Sequence, residues 1–107
     1  MIIYKGYNVY PAALEEIVCS HPAVAQASVV GKPQEEAGEI PCAFVQVRPG
    51  FEAGPALADE LMALVADRVT PYQRVRAVEF LESFPVSAVG KILKSELRKR
   101  FSPAQGS

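Results

Sequence analysis

Hydrophobic and polar positions along this chain change their period several times, and each change marks an element. Met1 to Val9 reads as a short extended segment or hairpin that turns at Gly6. Pro11 suits the first position of a helix, because it lacks the N–H that a first turn leaves unpaired. Leu14, Ile17 and Val18 then line one helical face, and His21-Pro22 ends the run, since proline pushes the residue before it out of the helical region. Val24 to Val30 reads as a strand, followed by a turn-rich loop through Gly31, Pro33 and Gly38. Ile40 to Val47 is the next strand, with Ala43, Val45 and Val47 on one face and Phe44 and Gln46 on the other. Beyond the breaks at Pro49, Gly50, Gly54 and Pro55, Leu57, Leu61, Leu64, Val65 and Val69 mark a second amphipathic helix closed before Pro71. Val75 to Leu81 predicts a third main strand, and Leu93, Leu97 and Phe101 line a final helix.

This order predicts an α+β fold: a small, largely antiparallel three-stranded sheet plus a short N-terminal strand or hairpin, packed with three helices. A single domain spanning residues 1–101 is expected, with 102–107 as a flexible tail. Half of the 107 residues are apolar, which supports a real core. The net charge of −1 leaves no broad basic field of the kind that binds nucleic acid, so no nucleic-acid partner is expected. No apolar run is long enough for a transmembrane segment, and nothing resembles a secretory signal. Cys19 and Cys42 lack metal-ligand spacing and are too few for a disulfide framework. Reduced thiols, a cytoplasmic location and no metal site are the expectations.

The candidate chemistry lies in Pro85-Val86-Ser87-Ala88-Val89-Gly90-Lys91, where a lysine follows a glycine between an apolar strand and a basic helix. An ammonium carried on such a loop is a compact cation that can be delivered to a phosphate or carboxylate. A bare Gly-Lys is more often a solvated turn, and Arg98 to Arg100 read as a solvated helix end favoured by the helix dipole. His21, the sole histidine, sits beside a proline at a helix end and reads as structural. Glu15 and Glu16 lie in an early helical turn where the dipole favours carboxylates, and they form no acid–base pair.

Taken together, several segments carry a resemblance. They are Gly6-Tyr7-Asn8-Val9-Tyr10-Pro11 with Leu14-Glu15-Glu16-Ile17, His21-Pro22-Ala23-Val24, Ala27-Ser28-Val29-Val30-Gly31, Gly38-Glu39-Ile40-Pro41, Ala43-Phe44-Val45, Pro71-Tyr72, Phe84-Pro85, Gly90-Lys91-Ile92-Leu93 and Leu97-Arg98. In this order and spacing they resemble the small C-terminal domain of adenylate-forming enzymes, and most of all the fatty-acyl and related acyl-CoA synthetases. The resemblance implies a two-step ligase reaction. A carboxylate attacks the α-phosphate of ATP to give an acyl-adenylate and pyrophosphate, and CoA thiolate then displaces AMP. The small domain rotates between the two steps.

The resemblance further implies that Lys91 is the catalytic lysine of adenylation, on an active-site loop shaped by Pro85, Ser87 and Gly90. It places Lys5, Gly6 and Tyr7 on the loop that enters the active site for thioester formation, beside the CoA pantetheine arm. ATP with Mg and CoA are implied as substrates of a full enzyme, with none held by this domain alone. The implied partner is a large N-terminal adenylation domain, which carries the phosphate loop and the acyl pocket, so the domain alone is expected to be inactive. Val86 stands where the family often has a basic residue, and Val89 where it often has Ser or Thr. The favoured reading is one part of a long- or medium-chain fatty acid–CoA ligase. The alternative is a free-standing module that complements a separate adenylation subunit or binds CoA or a carrier protein.

Overall fold

The computed structural model describes residues 2–101, so the expected tail at 102–107 lies outside the described residues. Strand β1 (Ile2–Tyr4) and strand β2 (Tyr7–Val9) form an N-terminal hairpin, followed by helix α1 (Pro11–Cys19). Two long strands come next, β3 (Val24–Gln34) and β4 (Gly38–Val47), then helix α2 (Pro55–Ala66), a 3-10 turn at Pro71–Gln73 and strand β5 (Ala77–Phe80). A short helix α3 (Lys94–Arg98) runs into a 3-10 turn at Lys99–Phe101. Both Pro11 and Pro55 open their helices, as their missing N–H allows.

The five strands make one α+β sheet in the order β2-β1-β4-β3, with β5 also alongside β4. Every pairing is antiparallel except β4 with β5, which run parallel. On one side β4 pairs with β3 over its whole length; on the other it meets β1 at Gly38 and β5 from Cys42 to Val45.

The β3–β4 hairpin is longer than its sequence suggests, because pairing continues through Gly31 and Pro33 to Gln34. Two features make this possible. Val29 turns its N–H and C=O away from β4 toward side chains, so by the period of two Pro33 also faces outward. Its missing N–H therefore costs no ladder bond on this edge strand. Pro41 lies opposite Gly31 and sends its carbonyl the other way, where it accepts the Arg76 N–H at 2.9 Å. Gly31 also makes room for Glu39: a Cβ there would lie 2.6 Å from its carboxylate, which accepts the Ile3 N–H at 3.0 Å.

Each face of the sheet buries its own cluster. Leu14 and Val18 of α1 and Leu61 and Val65 of α2 pack with Val29, Ala43 and Val45, together with Ile2 and Val9 of the N-terminal hairpin. On the opposite face Val30, Cys42 and Phe44 meet Phe84 and Leu97. Alternation along β3 and β4 thus assigns successive residues to two different cores. His21 behaves as the structural residue its position suggests. Its Nδ1 accepts the Ala23 N–H at 3.0 Å, which leaves Nε2 to donate to Glu60 and tie the end of α1 to α2.

Ser28 is buried on the second face, and its hydroxyl has no hydrogen-bond partner among the described residues. A buried unpaired hydroxyl opposes folding by its lost hydration. Ser28→Ala should therefore stabilise the domain, by about 1 kcal/mol in a urea unfolding titration. A comparable loss of stability would mean that the hydroxyl is satisfied.

Candidate functional site

The chain beyond β5 folds back over the second face, anchored by Phe84 and Leu97, and lifts the segment between them into solvent. That segment is a small hairpin. Leu93 N–H donates to Pro85 O at 2.9 Å, Val86 pairs with Ile92, and Ser87 N–H donates to Lys91 O at 2.8 Å. Gly90 N–H donates to Ser87 O at 2.9 Å, with Gly90 at φ +85°. A positive φ is why glycine stands there: a Cβ would have open space around it but a strained backbone beneath it.

Each residue expected on this loop thus has a definite local task. Pro85 supplies a carbonyl that closes the base, and Ser87 bonds Lys91 through its backbone and, at 3.3 Å, through Oγ accepting the Lys91 N–H. Lys91 is exposed and has no ion-pair partner among the described residues. Beside it Val89 is 81% exposed and Val86 52%, so the loop offers one cation flanked by apolar side chains. The arrangement can bring a hydrated ammonium to an anion without first breaking an internal pair.

Lys5 and Gly6 form the two-residue turn between β1 and β2, with φ of +49° and +85°. Both signs are those of a type I′ turn, whose twist matches the flanking strands. Lys5 N–H donates to Ala37 O at 2.8 Å and fastens the turn to the β3–β4 loop. Tyr7 stacks on Tyr72 with ring centroids 4.4 Å apart, and Gln73 Nε2 donates to Asn8 O at 3.0 Å. A cleft of about 230 Å³ opens beside the turn, lined in part by Tyr4, Lys5, Gln34, Glu36 and Arg76. The Arg76 guanidinium lies 4.3 Å from the Tyr4 ring centroid, a cation–π contact that holds a second cation close to Lys5.

The two groups of candidate residues are not one site. Lys91 with Pro85, Ser87 and Gly90 belongs to the segment over the second face, whereas Lys5, Gly6 and Tyr7 belong to the hairpin packed into the first core. No hydrogen bond or ion pair among the described residues joins them. Burial pushes the Cys42 thiol up to about 12, aided by the Glu79 carboxylate, so it stays protonated at neutral pH, and burial likewise raises the Cys19 thiol. No group of three or more His, Cys, Asp or Glu among the described residues could hold a metal ion. Sequence reading missed Arg76, Tyr72 as the partner of Tyr7, and the contacts of Glu15 and Lys94, all of which join distant parts of the chain.

Residues 13–91 match the AMP-binding enzyme C-terminal domain. The chain belongs to this family. It is 48% identical over 101 residues to the 4-coumarate–CoA ligase-like 9 protein of Oryza sativa subsp. japonica, a match covering 94% of this chain and 18% of that protein. Among solved structures, the acyl-CoA synthetase of Brucella canis superposes with a TM-score of 0.91 at 38% identity, covering 97% of this chain and 19% of that one. The fatty acyl CoA synthetase of Mycobacterium tuberculosis gives 0.86 at 34% identity, covering 97% and 20%. The chain therefore corresponds to about a fifth of each relative, and it is the C-terminal domain of the acyl-CoA ligase family. Among the described residues no helix is long and apolar enough to cross a membrane.

The positive φ of Gly90 gives a direct test of the loop. Gly90→Ala should cost about 1 kcal/mol of stability through backbone strain, measured by urea unfolding. An unchanged midpoint would mean that the turn is free to rearrange.

Proposed function

We propose that this domain supplies Lys91 as the cation of ATP-dependent acyl adenylation and the Lys5-Gly6-Tyr7 turn as the element that admits CoA for thioester formation. The observation that carries the reading is the exposed Lys91, presented without an ion-pair partner among the described residues on a loop closed by its own hydrogen bonds. A carboxylate approaching the α-phosphate of MgATP brings two anions together, and an ammonium between them offsets the repulsion and stabilises charge that develops on phosphorus-bound oxygen. Fixing the loop backbone beforehand limits the ordering that binding requires. Separation of the Lys91 loop from the Lys5-Gly6-Tyr7 turn supports the use of one element in each half-reaction, with the domain turning between them.

A large N-terminal adenylation domain would hold ATP and the acyl group, so the isolated domain forms no adenylate. The acid is proposed to be a fatty acid, a reading supported by likeness to the mycobacterial fatty acyl CoA synthetase. A second reading, an aromatic acid of the coumarate type, is supported by the 48% identity to the rice 4-coumarate–CoA ligase-like protein. Comparing kcat/KM for a fatty acid and for 4-coumarate in the intact ligase separates the two. A cytoplasmic site of action is proposed, a compartment where ATP and CoA are both available.

In the intact ligase, Lys91→Ala should lower adenylation by about 100- to 1,000-fold, measured by pyrophosphate release, while thioester formation from supplied acyl-adenylate persists. Equal losses in both half-reactions would remove the assigned role. Gly6→Leu should act in reverse, slowing CoA transfer from supplied adenylate by about tenfold or more while adenylation continues, since bulk at the turn obstructs the narrow pantetheine arm. Undiminished transfer would take this turn out of the path of CoA.

A further inference from the structure

Among the described residues only one side chain joins the lysine-bearing segment to the rest of the domain by hydrogen bond or ion pair. From Ser83 to Phe101 every other hydrogen bond and ion pair among the described residues stays within the segment. The exception is Lys94, the first residue of α3 and three residues beyond Lys91. Its Nζ lies 2.7 Å from Glu15 Oε2 of α1 and donates to the carbonyl of Val29 at 3.3 Å. The same Glu15 oxygen accepts the Val29 N–H at 2.8 Å. Glu15 and Lys94 thus occupy both outward backbone groups of Val29 on the free edge of β3, as a neighbouring strand would. The pair also reaches around that edge, because α1 packs on one face of the sheet and α3 on the other.

Apolar contact holds the segment down through Phe84, Leu97, Ile92 and Phe101. Such contact is non-directional and leaves the register of a five-residue helix weakly defined. A charged pair hydrogen-bonded to one backbone position defines it far better. Between Lys94 and Lys91, Ile92 pairs with Val86 and Leu93 N–H donates to Pro85 O, so a displacement of Lys94 is carried directly into the hairpin that bears Lys91.

We propose that Glu15 and Lys94 are positioning residues for adenylation: their clamp on Val29 sets where the Lys91 loop stands relative to the sheet. The proposal rests on the role given to Lys91 above. It assigns the pair no contact with substrate and no part in CoA transfer.

The test uses the intact ligase with both half-reactions measured separately. Lys94→Met keeps the apolar stem and removes the charge. It should lower kcat of adenylation by about 10- to 100-fold with KM for the acid unchanged, because a displacement near 1 Å is enough for such a loss. Thioester formation from supplied acyl-adenylate should stay at the wild-type rate, and Lys94→Arg, which can still meet Glu15 and the Val29 carbonyl, should recover most of the adenylation. Glu15→Gln retains an acceptor for the Val29 N–H but loses the charge, and should show a smaller loss confined to adenylation. It decides the matter if Lys94→Met does not fold. Equal losses in the two half-reactions, or a rise in KM alone, would overturn the positioning role. Lys91→Ala is run alongside. If it abolishes adenylation while Lys94→Met and Glu15→Gln both adenylate normally, the clamp proposal falls alone; if Lys91→Ala itself adenylates normally, the reading beneath it falls.

Discussion

Strand β4 is the one strand that must satisfy its backbone on both sides and bury side chains on both faces. Its partner β3 covers one side over the full length, while β1 and β5 divide the other between them. Buried polar backbone left unpaired is costly, so the short N-terminal hairpin and β5 are required neighbours as much as they are additions. The same strand separates Ala43 and Val45 from Cys42 and Phe44, which lets one sheet support α1 and α2 on one face and the C-terminal segment on the other.

That separation shapes what the domain can offer a larger enzyme. The Lys5–Gly6 turn projects from an edge hairpin embedded in the first core, and the Lys91 loop stands over the second. The rigidity of both comes from backbone: a type I′ turn tied to Ala37 in one case, a closed hairpin around Gly90 in the other. Among the described residues neither Lys5 nor Lys91 forms an ion pair, although the Lys5 ammonium lies over the Tyr4 ring. Exposed Val86 and Val89 beside Lys91 provide apolar surface instead of further charge, so the loop presents a single cation.

Charge inside the domain serves cohesion. Glu15 with Lys94 seals the free edge of β3, Glu39 holds Ile3, and His21 with Glu60 joins two helices. All three pairs span more than 35 residues of sequence and replace backbone partners or link elements that hydrophobic contact alone would leave loosely oriented.

Much of the fold was legible in the chain itself. The helix-opening proline at Pro11, the alternation from Ala43 to Val47 and the break at His21-Pro22 are local signals, decided by local sterics. Pro55 read only as a break, and the structure shows that it opens a helix. The length of β3 was not legible, because Gly31 and Pro33 break strands in general and are tolerated here only on a free edge whose existence depends on the sheet order. The Lys91 loop could be recognised from its wording, whereas the positive φ that calls for glycine at Gly90 is seen only in the structure. Glu15 read as an ordinary helix-surface carboxylate until the structure placed it against Val29 and Lys94, 14 and 79 residues away. By itself the sequence determined most of the elements, through interactions within a few residues, and pointed to the family and to Lys91 through motifs spread along the chain. Only the tertiary structure decided which faces those elements share and that Lys94, three residues from Lys91, meets Glu15 and Val29. Edge pairing and the Glu15–Lys94 ion pair arise only when distant segments meet.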